Sequence, residues 1–293
     1  MRSKRPSARA WFSRPAILGD PLNWAETASA LVEDAKRRAP DLPETHLAAG
    51  VLALQRCDFA GAVRALAQVL SIAPTHGEAH RYLAMLEMEA GLEESARTRY
   101  RLVADVERTT SFPLTQLARW HALDGDLERA EQLFAEAARR SPTPSMGVVL
   151  MRLRDAVWRR TPPPKLSRNE ETWLARAPWP LPRLFTAALA GELTVDRLLA
   201  EEAEVLKMGQ SPRATATVHQ FATELLLYLG DVDAAIEHLI RCEAIGLMDV
   251  SWLDRCPLLE PLRGHSAFHS VSRRVRARAL AAFASAPTLH TLT

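Results

Sequence analysis

Apolar and small residues recur along this chain at a fixed interval of 34 positions. A glycine, an alanine and a large aromatic residue recur together, in the pairs Gly91 and Gly125, Ala96 and Ala130, and Tyr100 and Phe134. Ala62 and Leu66 continue the series upstream, where Cys57 replaces the glycine. The interval predicts three contiguous repeat units, at residues 43–76, 77–110 and 111–144.

Each unit divides into two amphipathic helices that form an antiparallel hairpin. In the second unit, Leu83 and Leu86 lie near one stripe of a first helix, and Tyr100 and Val103 lie on one stripe of a second. The recurrent alanines have no side chain beyond Cβ and allow neighbouring helices to approach closely. The recurrent glycines are suited to the turn between the helices, where a positive φ is often required.

These features resemble the tetratricopeptide repeat family, whose unit has 34 residues and two helices. Counted from the first residue of each unit, Ala62, Ala96 and Ala130 stand at the small-residue position 20. The chain departs from the family pattern at position 4, where His46, His80 and Leu114 replace a large aromatic residue, and at position 32 of the second unit, which is Arg108. The resemblance implies an all-α helical-hairpin solenoid whose first helices line a concave face.

Repeat-like segments flank this block on both sides. Upstream, Asp20 and Pro21 favour the start of a helix, and downstream a fourth unit contains His219, Gly230 and Ala235 in repeat phase. Between them, prolines at 161–164 and 178–182 interrupt degenerate helical repeats, and Ser167 with Glu170 predicts a capping box. The predicted organisation is a basic tail at 1–19, an N-terminal array at 20–144, a degenerate segment with proline-rich joints at 145–215, and a C-terminal unit with a capping helix at 216–293.

Residues 230–283 carry a second, more specific resemblance. The stretches GDVDAAIEHL, WLDRCPLLEPLRG and FHSVSRRVRARAL are similar to the end of helical-repeat regions attached to bacterial serine/threonine kinases and nucleotide cyclases. This resemblance implies a role in bacterial signalling as a detached partner or regulatory region.

Composition narrows the class of protein further. The 293 residues carry 37 basic and 35 acidic side chains, a net charge of +2, so no global field favours nucleic acid or an anionic membrane. Three cysteines without CxxC spacing argue against a disulfide framework and fit a reducing interior. No apolar run reaches the ~20 residues that span a bilayer. We expect a soluble cytoplasmic protein.

Enzyme and cofactor signatures are lacking in this sequence. It contains no glycine-rich phosphate loop, no HRD or DFG triplet and no GxSxG elbow. Two histidine pairs have i, i+4 spacing, His76 with His80 and His265 with His269, but neither has an obvious third ligand. The sequence therefore predicts a non-enzymatic protein with no metal and no cofactor.

Other chemistry-bearing residues have structural explanations. Cys242 lies on a packing stripe and Cys256 in an apolar connector, so both are predicted to be small buried residues. The basic cluster at 273–278 is predicted to form the outer face of the capping helix, whose apolar stripe contains Phe268, Val271 and Val275. Nucleic-acid binding there is not expected, because the cluster lacks interleaved aromatic residues.

The concave face is the candidate binding site, and its predicted partner is a peptide or protein. The resemblance places on this face a set of polar, aromatic and methionine side chains that suit a peptide: Arg81, Tyr82, Met85, Met88, Glu89, Gln116 and Arg119. The family's carboxylate-clamp pattern is absent, because Leu47 and Val51 stand where it needs lysine and asparagine. The leading hypothesis is a scaffold in bacterial signalling; the alternatives are a ligand-sensing or transcription-regulatory module and an enzyme with an unrecognised site.

Overall fold

The structure is a computed structural model that describes residues 24–140, 145–177, 180–208 and 211–284. The described residues form α-helices and one 3₁₀-helix, with no strand among them. The predicted tail at 1–19, Asp20, Pro21, and Pro178 with Trp179 lie outside the described residues. Within the described part of the chain, no helix combines the length and the apolarity needed to cross a membrane.

The N-terminal half is a row of helices that alternate between first and second positions of a hairpin. Their bounds are α1 Trp24–Arg38, α2 Pro43–Gln55, α3 Phe59–Ile72, α4 Gly77–Glu89, α5 Glu93–Val106, α6 Phe112–Asp124 and α7 Leu127–Arg140. The most extensive packing in this half is within the pairs α2 with α3, α4 with α5, and α6 with α7. These pairs are the three predicted hairpins, and they confirm the all-α, tetratricopeptide-like solenoid.

The C-terminal half contains shorter helices, one further hairpin and a closing helix. Their bounds are α8 Met146–Arg159, α9 Arg168–Arg176, α10 Leu181–Leu189, α11 Val195–Lys207, α12 Pro212–Leu229, α13 Val232–Ile245, α14 Val250–Arg255, the 3₁₀-helix Pro257–Leu262 and α15 Ser266–Ala284. Helices α12 and α13 form the fourth hairpin. The capping box is present at α9, where Ser167 Oγ accepts a hydrogen bond from Glu170 N and Glu170 accepts one from Ser167 N.

The turn of every hairpin contains a left-handed residue at the same repeat position. Gly91, Gly125 and Gly230 have φ values of 83°, 88° and 90°, and Cys57 has a φ of 59° at the equivalent place. The 34-residue recurrence of glycine therefore reflects a backbone requirement, which Cys57 meets despite its side chain.

The alanines at position 20 are buried in each hairpin. Ala62, Ala96 and Ala235 are 0% exposed and Ala130 is 2% exposed. A larger side chain there would push the two helices apart, so the interval also reflects close helix packing.

The C-terminal helices pack back onto the N-terminal hairpins. Helix α14 contacts both α4 and α6, α12 contacts α2 and α8, and α15 contacts α13 and α3. The predicted stripe of α15 is buried, with Val271 and Val275 at 0% exposure. The capping helix therefore covers the fourth hairpin and also joins it to the second helix of the first hairpin, a contact that the repeat pattern did not predict.

The basic cluster of α15 forms ion pairs within the chain. Arg274 and Arg278 place guanidinium nitrogens 2.7 and 3.0 Å from the carboxylate of the buried Glu243. Arg278 also donates to the carbonyl oxygen of Leu247, at 2.5 Å. These contacts fix α15 on α13, in agreement with a structural role for the cluster.

Gly246, in the C-terminal half, lies close to Cys57 of the first hairpin. A Cβ at Gly246 would lie 2.5 Å from both Cβ and Sγ of Cys57, and the residue has a φ of 149°. We expect Gly246→Ala to lower the free energy of unfolding by about 2 kcal/mol or more, measured by urea denaturation. Adding Cys57→Gly should restore part of this loss, because it removes the atoms that clash.

Gly264→Ala provides the matched control for this substitution. No atom lies within 4 Å of a Cβ at Gly264, so its effect should be small. Equal destabilisation by Gly246→Ala and Gly264→Ala would contradict the close approach of Cys57 to Gly246.

Candidate functional site

The first helices α2, α4 and α6 pack against residues 212–255, which contain α12 and α14 and which we call the C-terminal segment. We call the surface of α2, α4 and α6 that packs against it the inner face. The seven residues predicted to bind a partner all belong to α4 or α6 and divide into two groups by depth. One group is buried and contacts the C-terminal segment, and the other is half-buried.

The deep group consists of Met88, Glu89 and Arg119, all of which are buried. Arg119 Nη2 lies 2.5 Å from Asp249 Oδ2, and Glu89 forms an ion pair with Arg213. Ser251 Oγ donates to the carbonyl oxygen of Met88 at 2.6 Å. The partners of the deep group in the structure are thus residues of the same chain.

Two ion pairs, Arg119 with Asp249 and Glu89 with Arg213, hold the C-terminal segment against the inner face. Burial raises the pKa of Glu89 despite the nearby Arg213 guanidinium. Asp249 also accepts from Gln220 Nε2 at 3.1 Å and, through Oδ1, from the backbone N–H of Trp252 at 3.0 Å. Asp249 therefore joins α6, α12 and the start of α14 through one carboxylate.

The second group is Arg81, Tyr82, Met85 and Gln116, and we call it the open edge. These four side chains are half-buried. The Arg81 guanidinium lies 5.1 Å from the centroid of the Tyr82 ring and 5.4 Å from that of Phe112, and it pairs with Glu78 at 3.1 Å. Burial raises the pKa of Tyr82, whose hydroxyl remains protonated at neutral pH.

The open edge combines chemistry suited to a peptide. An arginine held over two aromatic rings is oriented before a partner arrives, so less side-chain entropy is lost on binding. Met85 offers a flexible apolar surface, and the Gln116 amide can both donate and accept hydrogen bonds.

A separate buried cluster lies where α11 meets the fourth hairpin. Glu202 Oε1 lies 2.8 Å from His219 Nδ1, and Glu202 Oε2 lies 2.8 Å from His238 Nε2. The two imidazole rings are 5.6 Å apart between centroids. We call Glu202, His219 and His238 the Glu–His–His cluster; the sequence singled out only His219, as a residue in repeat phase.

Hydrogen bonds set the ionisation of this cluster. Burial opposes ionisation of Glu202, but hydrogen bonds from His219 and His238 outweigh it and lower the pKa of Glu202 to about 2. Burial likewise opposes charging of His238, yet its hydrogen bond to Glu202 gives a net increase in the pKa of His238. Glu202 is therefore a carboxylate at neutral pH, and its negative charge faces both imidazoles.

The histidines and cysteines singled out by the sequence have local roles. His76 Nδ1 accepts from the N–H of Ala79 at the start of α4, and His80 Nε2 bonds the carbonyl oxygen of Pro74 at 2.7 Å. Cys242 and Cys256 are 0% exposed, as predicted, and burial raises the pKa of each thiol well above its usual range. Both thiols are therefore poor nucleophiles.

Comparisons with known proteins give a distant structural likeness. No protein-family model matches the chain, and no curated protein matches its sequence. A solved structure described as "Crystal structure of APC/C hetero-tetramer Cut9-Hcn1" is similar over 86% of this chain, with 17% sequence identity and a TM-score of 0.45. The chain spans 46% of the length of that structure, and at this distance the likeness assigns neither family membership nor function.

Proposed function

We propose that this chain is a non-enzymatic scaffold of the tetratricopeptide type, which binds a peptide or protein at the open edge. The observation that carries the proposal is the half-buried set Arg81, Tyr82, Met85 and Gln116 on neighbouring first helices. Arginine and tyrosine in such positions are the residue types that dominate protein interfaces. The similarity of residues 230–283 to the repeat regions of signalling kinases and cyclases favours a role in bacterial signalling.

The deep group extends this proposed surface. Met88 and Arg119 lie further along the same two helices and contact Ser251 and Asp249, and Glu89 pairs with Arg213. A partner that contacts only the open edge leaves these pairs intact. A partner that reaches Arg119 must replace Asp249 with a carboxylate of its own, since an unpaired buried guanidinium is costly.

The proposed site predicts a loss of binding from single truncations. We expect Tyr82→Ala or Arg81→Ala to weaken the partner complex by about tenfold or more, because each removes an interface anchor. The partner is first captured from source-cell extract with the parent chain. Its dissociation constant is then measured with purified proteins by fluorescence anisotropy.

Arg97→Ala is the matched control for Arg81→Ala. Arg97 also pairs with a glutamate three residues earlier, Glu94, and its guanidinium lies 4.3 Å from the centroid of the Trp120 ring, but it belongs to second helix α5. Its loss should leave partner affinity unchanged. Equal affinities for parent, Arg81→Ala and Tyr82→Ala, with matched circular dichroism spectra, would rule out the open edge.

A ligand-sensing or transcription-regulatory module is the second candidate function. The observation that favours it is the buried Glu–His–His cluster at the junction of the degenerate segment and the fourth hairpin. Stabilisation of the chain by a small ligand alone, without any protein partner, would distinguish this function from the scaffold.

A further inference from the structure

We propose that the Glu–His–His cluster is a binding site for a divalent transition-metal ion, with Zn²⁺ as the probe. One carboxylate oxygen of Glu202 and one ring nitrogen each of His219 and His238 lie within 4.8 Å of one another. Two imidazoles and a carboxylate form a donor set that zinc and other first-row metals take in proteins. This site lies apart from the open edge and does not depend on partner binding there.

The two hydrogen-bond acceptors that face the His238 ring require a proton or a metal ion between the ring and Glu202. His238 Nδ1 lies 2.9 Å from the carbonyl oxygen of Ala234, which can only accept, so Nδ1 carries a hydrogen. His238 Nε2 lies 2.8 Å from Glu202, another acceptor. In a neutral imidazole this second nitrogen presents a lone pair, and a lone pair facing a carboxylate is repulsive. A proton or a metal ion between Nε2 and Glu202 resolves the conflict.

The hydrogen bond from His238 Nδ1 to the carbonyl oxygen of Ala234 favours a metal ion at this place. Metal-ligating histidines commonly donate their other ring N–H to a backbone carbonyl, which fixes the tautomer and aims the remaining lone pair. Here that lone pair is on Nε2 and points at the carboxylate, with His219 Nδ1 facing the other oxygen of the same group. The three donor atoms therefore lie close together, and Nδ1 of His238 is already occupied by its bond to Ala234.

The second hairpin provides an internal comparison at the same repeat positions. Counted from the first residue of each unit, His80 and Arg99 correspond to His219 and His238. Arg99 Nη1 lies 3.1 Å from His80 Nδ1, and Arg99 Nε lies 2.9 and 3.0 Å from the two carboxylate oxygens of Glu87. A permanent cation thus links imidazole and carboxylate in that hairpin.

In the fourth hairpin a histidine takes the place of this arginine. Among the described residues, the ion pairs of Glu202 are with the two histidines and with no arginine or lysine. No permanently charged side chain of the described part of the chain therefore lies between imidazole and carboxylate in this hairpin. The positive charge there has to come from a bound proton or metal ion. A metal ion bound by this carboxylate and two neutral imidazoles is a suitable source of that charge.

Each ligand comes from a different helix, so metal binding would have a structural effect. Glu202 belongs to α11, His219 to α12 and His238 to α13, and all three are buried. An ion bound to them would link the end of the degenerate segment to the fourth hairpin. Three protein ligands also leave the fourth tetrahedral position for water or an external donor.

Binding requires both facing nitrogens as lone-pair donors. As the metal–nitrogen bonds form, the hydrogen on His238 Nε2 would leave to solvent as a proton, and His238 would keep its Nδ1 hydrogen. The hydrogen on His219 Nδ1 would also leave to solvent, while Nε2 of the same ring carries a hydrogen, taken up from solvent where the ring starts as the Nδ1–H tautomer. Both rings are then neutral, as ligating imidazoles are. The metal takes their place against the carboxylate.

Calorimetric titration of the full-length chain tests this proposal. The tag-free protein is stripped with EDTA, titrated with Zn²⁺ and compared with Glu202→Gln and His238→Gln. We expect one Zn²⁺ per chain, and a loss of affinity in each variant beyond the roughly 10- to 100-fold that an outer-shell change causes. Saturating Zn²⁺ should also raise the Tm of the parent by a few degrees.

The control is the double variant His265→Gln/His269→Gln, which removes an exposed histidine pair with helical spacing. It should bind Zn²⁺ as the parent does. No binding by the parent, unchanged affinity in folded Glu202→Gln, or loss of the site in the control would each overturn the proposal. If His238→Gln fails to fold, the visible absorption spectrum of bound Co²⁺ is compared between the parent and Glu202→Gln. The spectrum must differ between the two if Glu202 is a ligand, and an unchanged spectrum would overturn the proposal.

Discussion

Replacing Arg154 with methionine lowers the free energy of unfolding by about 3–5 kcal/mol, the usual cost of leaving a buried charge unpaired. Arg154 in α8 forms two hydrogen bonds with Glu224 in α12, at 2.6 and 3.0 Å. The side chains are 6% and 0% exposed, so water cannot replace the guanidinium. The substitution also removes its stacking on the Phe221 ring, at 4.3 Å from the centroid.

Urea denaturation followed by circular dichroism measures this effect. Arg241→Met is the control, because Arg241 in α13 pairs at 3.1 Å with Glu237 and their side chains are 53% and 65% exposed, and such pairs contribute about 0–1 kcal/mol. The double variant Arg154→Met/Glu224→Leu should recover much of the loss by removing both charges. A cost for Arg154→Met no greater than that for Arg241→Met would show that water reaches Glu224.

The repeat units were predictable from sequence because each recurrent residue answers a local requirement. Gly91, Gly125 and Gly230 recur where the backbone is left-handed, and Ala96 and Ala130 recur where two helices touch. Such requirements lie within one hairpin, so the same residue types recur in the sequence with every hairpin. The capping box at Ser167 was predictable for the same reason.

The contacts between the C-terminal helices and the N-terminal hairpins produce no periodic pattern in the sequence. Arg119 and Asp249 are 130 positions apart, and Arg154 and Glu224 are 70 apart. A single charged residue on a helix is typical of a solvated surface, and no periodicity marks one that pairs with a distant helix. For this reason the sequence placed Arg119 on an accessible groove, while the structure pairs it within the chain.

The Glu–His–His cluster escaped the sequence analysis for a related reason. Its members are separated by 17 and 19 positions and lie on three helices, so they match no short ligand motif. The available signal was the repeat register, which places His219 opposite His238 just as His80 lies opposite Arg99. Glu202 comes from the degenerate segment, where no register exists to place it.

Asp249→Ala is expected to release the C-terminal segment from the inner face. The substitution leaves the buried Arg119 unpaired, which costs about 3–5 kcal/mol, and removes the N-cap of α14, which costs about 1 kcal/mol. The fall in the free energy of unfolding is measured in urea. Asp58→Ala is the control, because Asp58 also caps a helix by accepting from a backbone N–H, of Gly61, but in an exposed position.

Only the capping loss of about 1 kcal/mol should appear in Asp58→Ala. Similar stabilities for the two variants would mean that the pair with Arg119 contributes little to closing the array. The same comparison separates two ways of binding a partner. If the partner contacts the open edge alone, folded Asp249→Ala binds it with the parent's affinity. If the partner reaches Arg119, it competes with Asp249 in the parent, and removing that carboxylate strengthens binding, since the cost of displacing it has already been met.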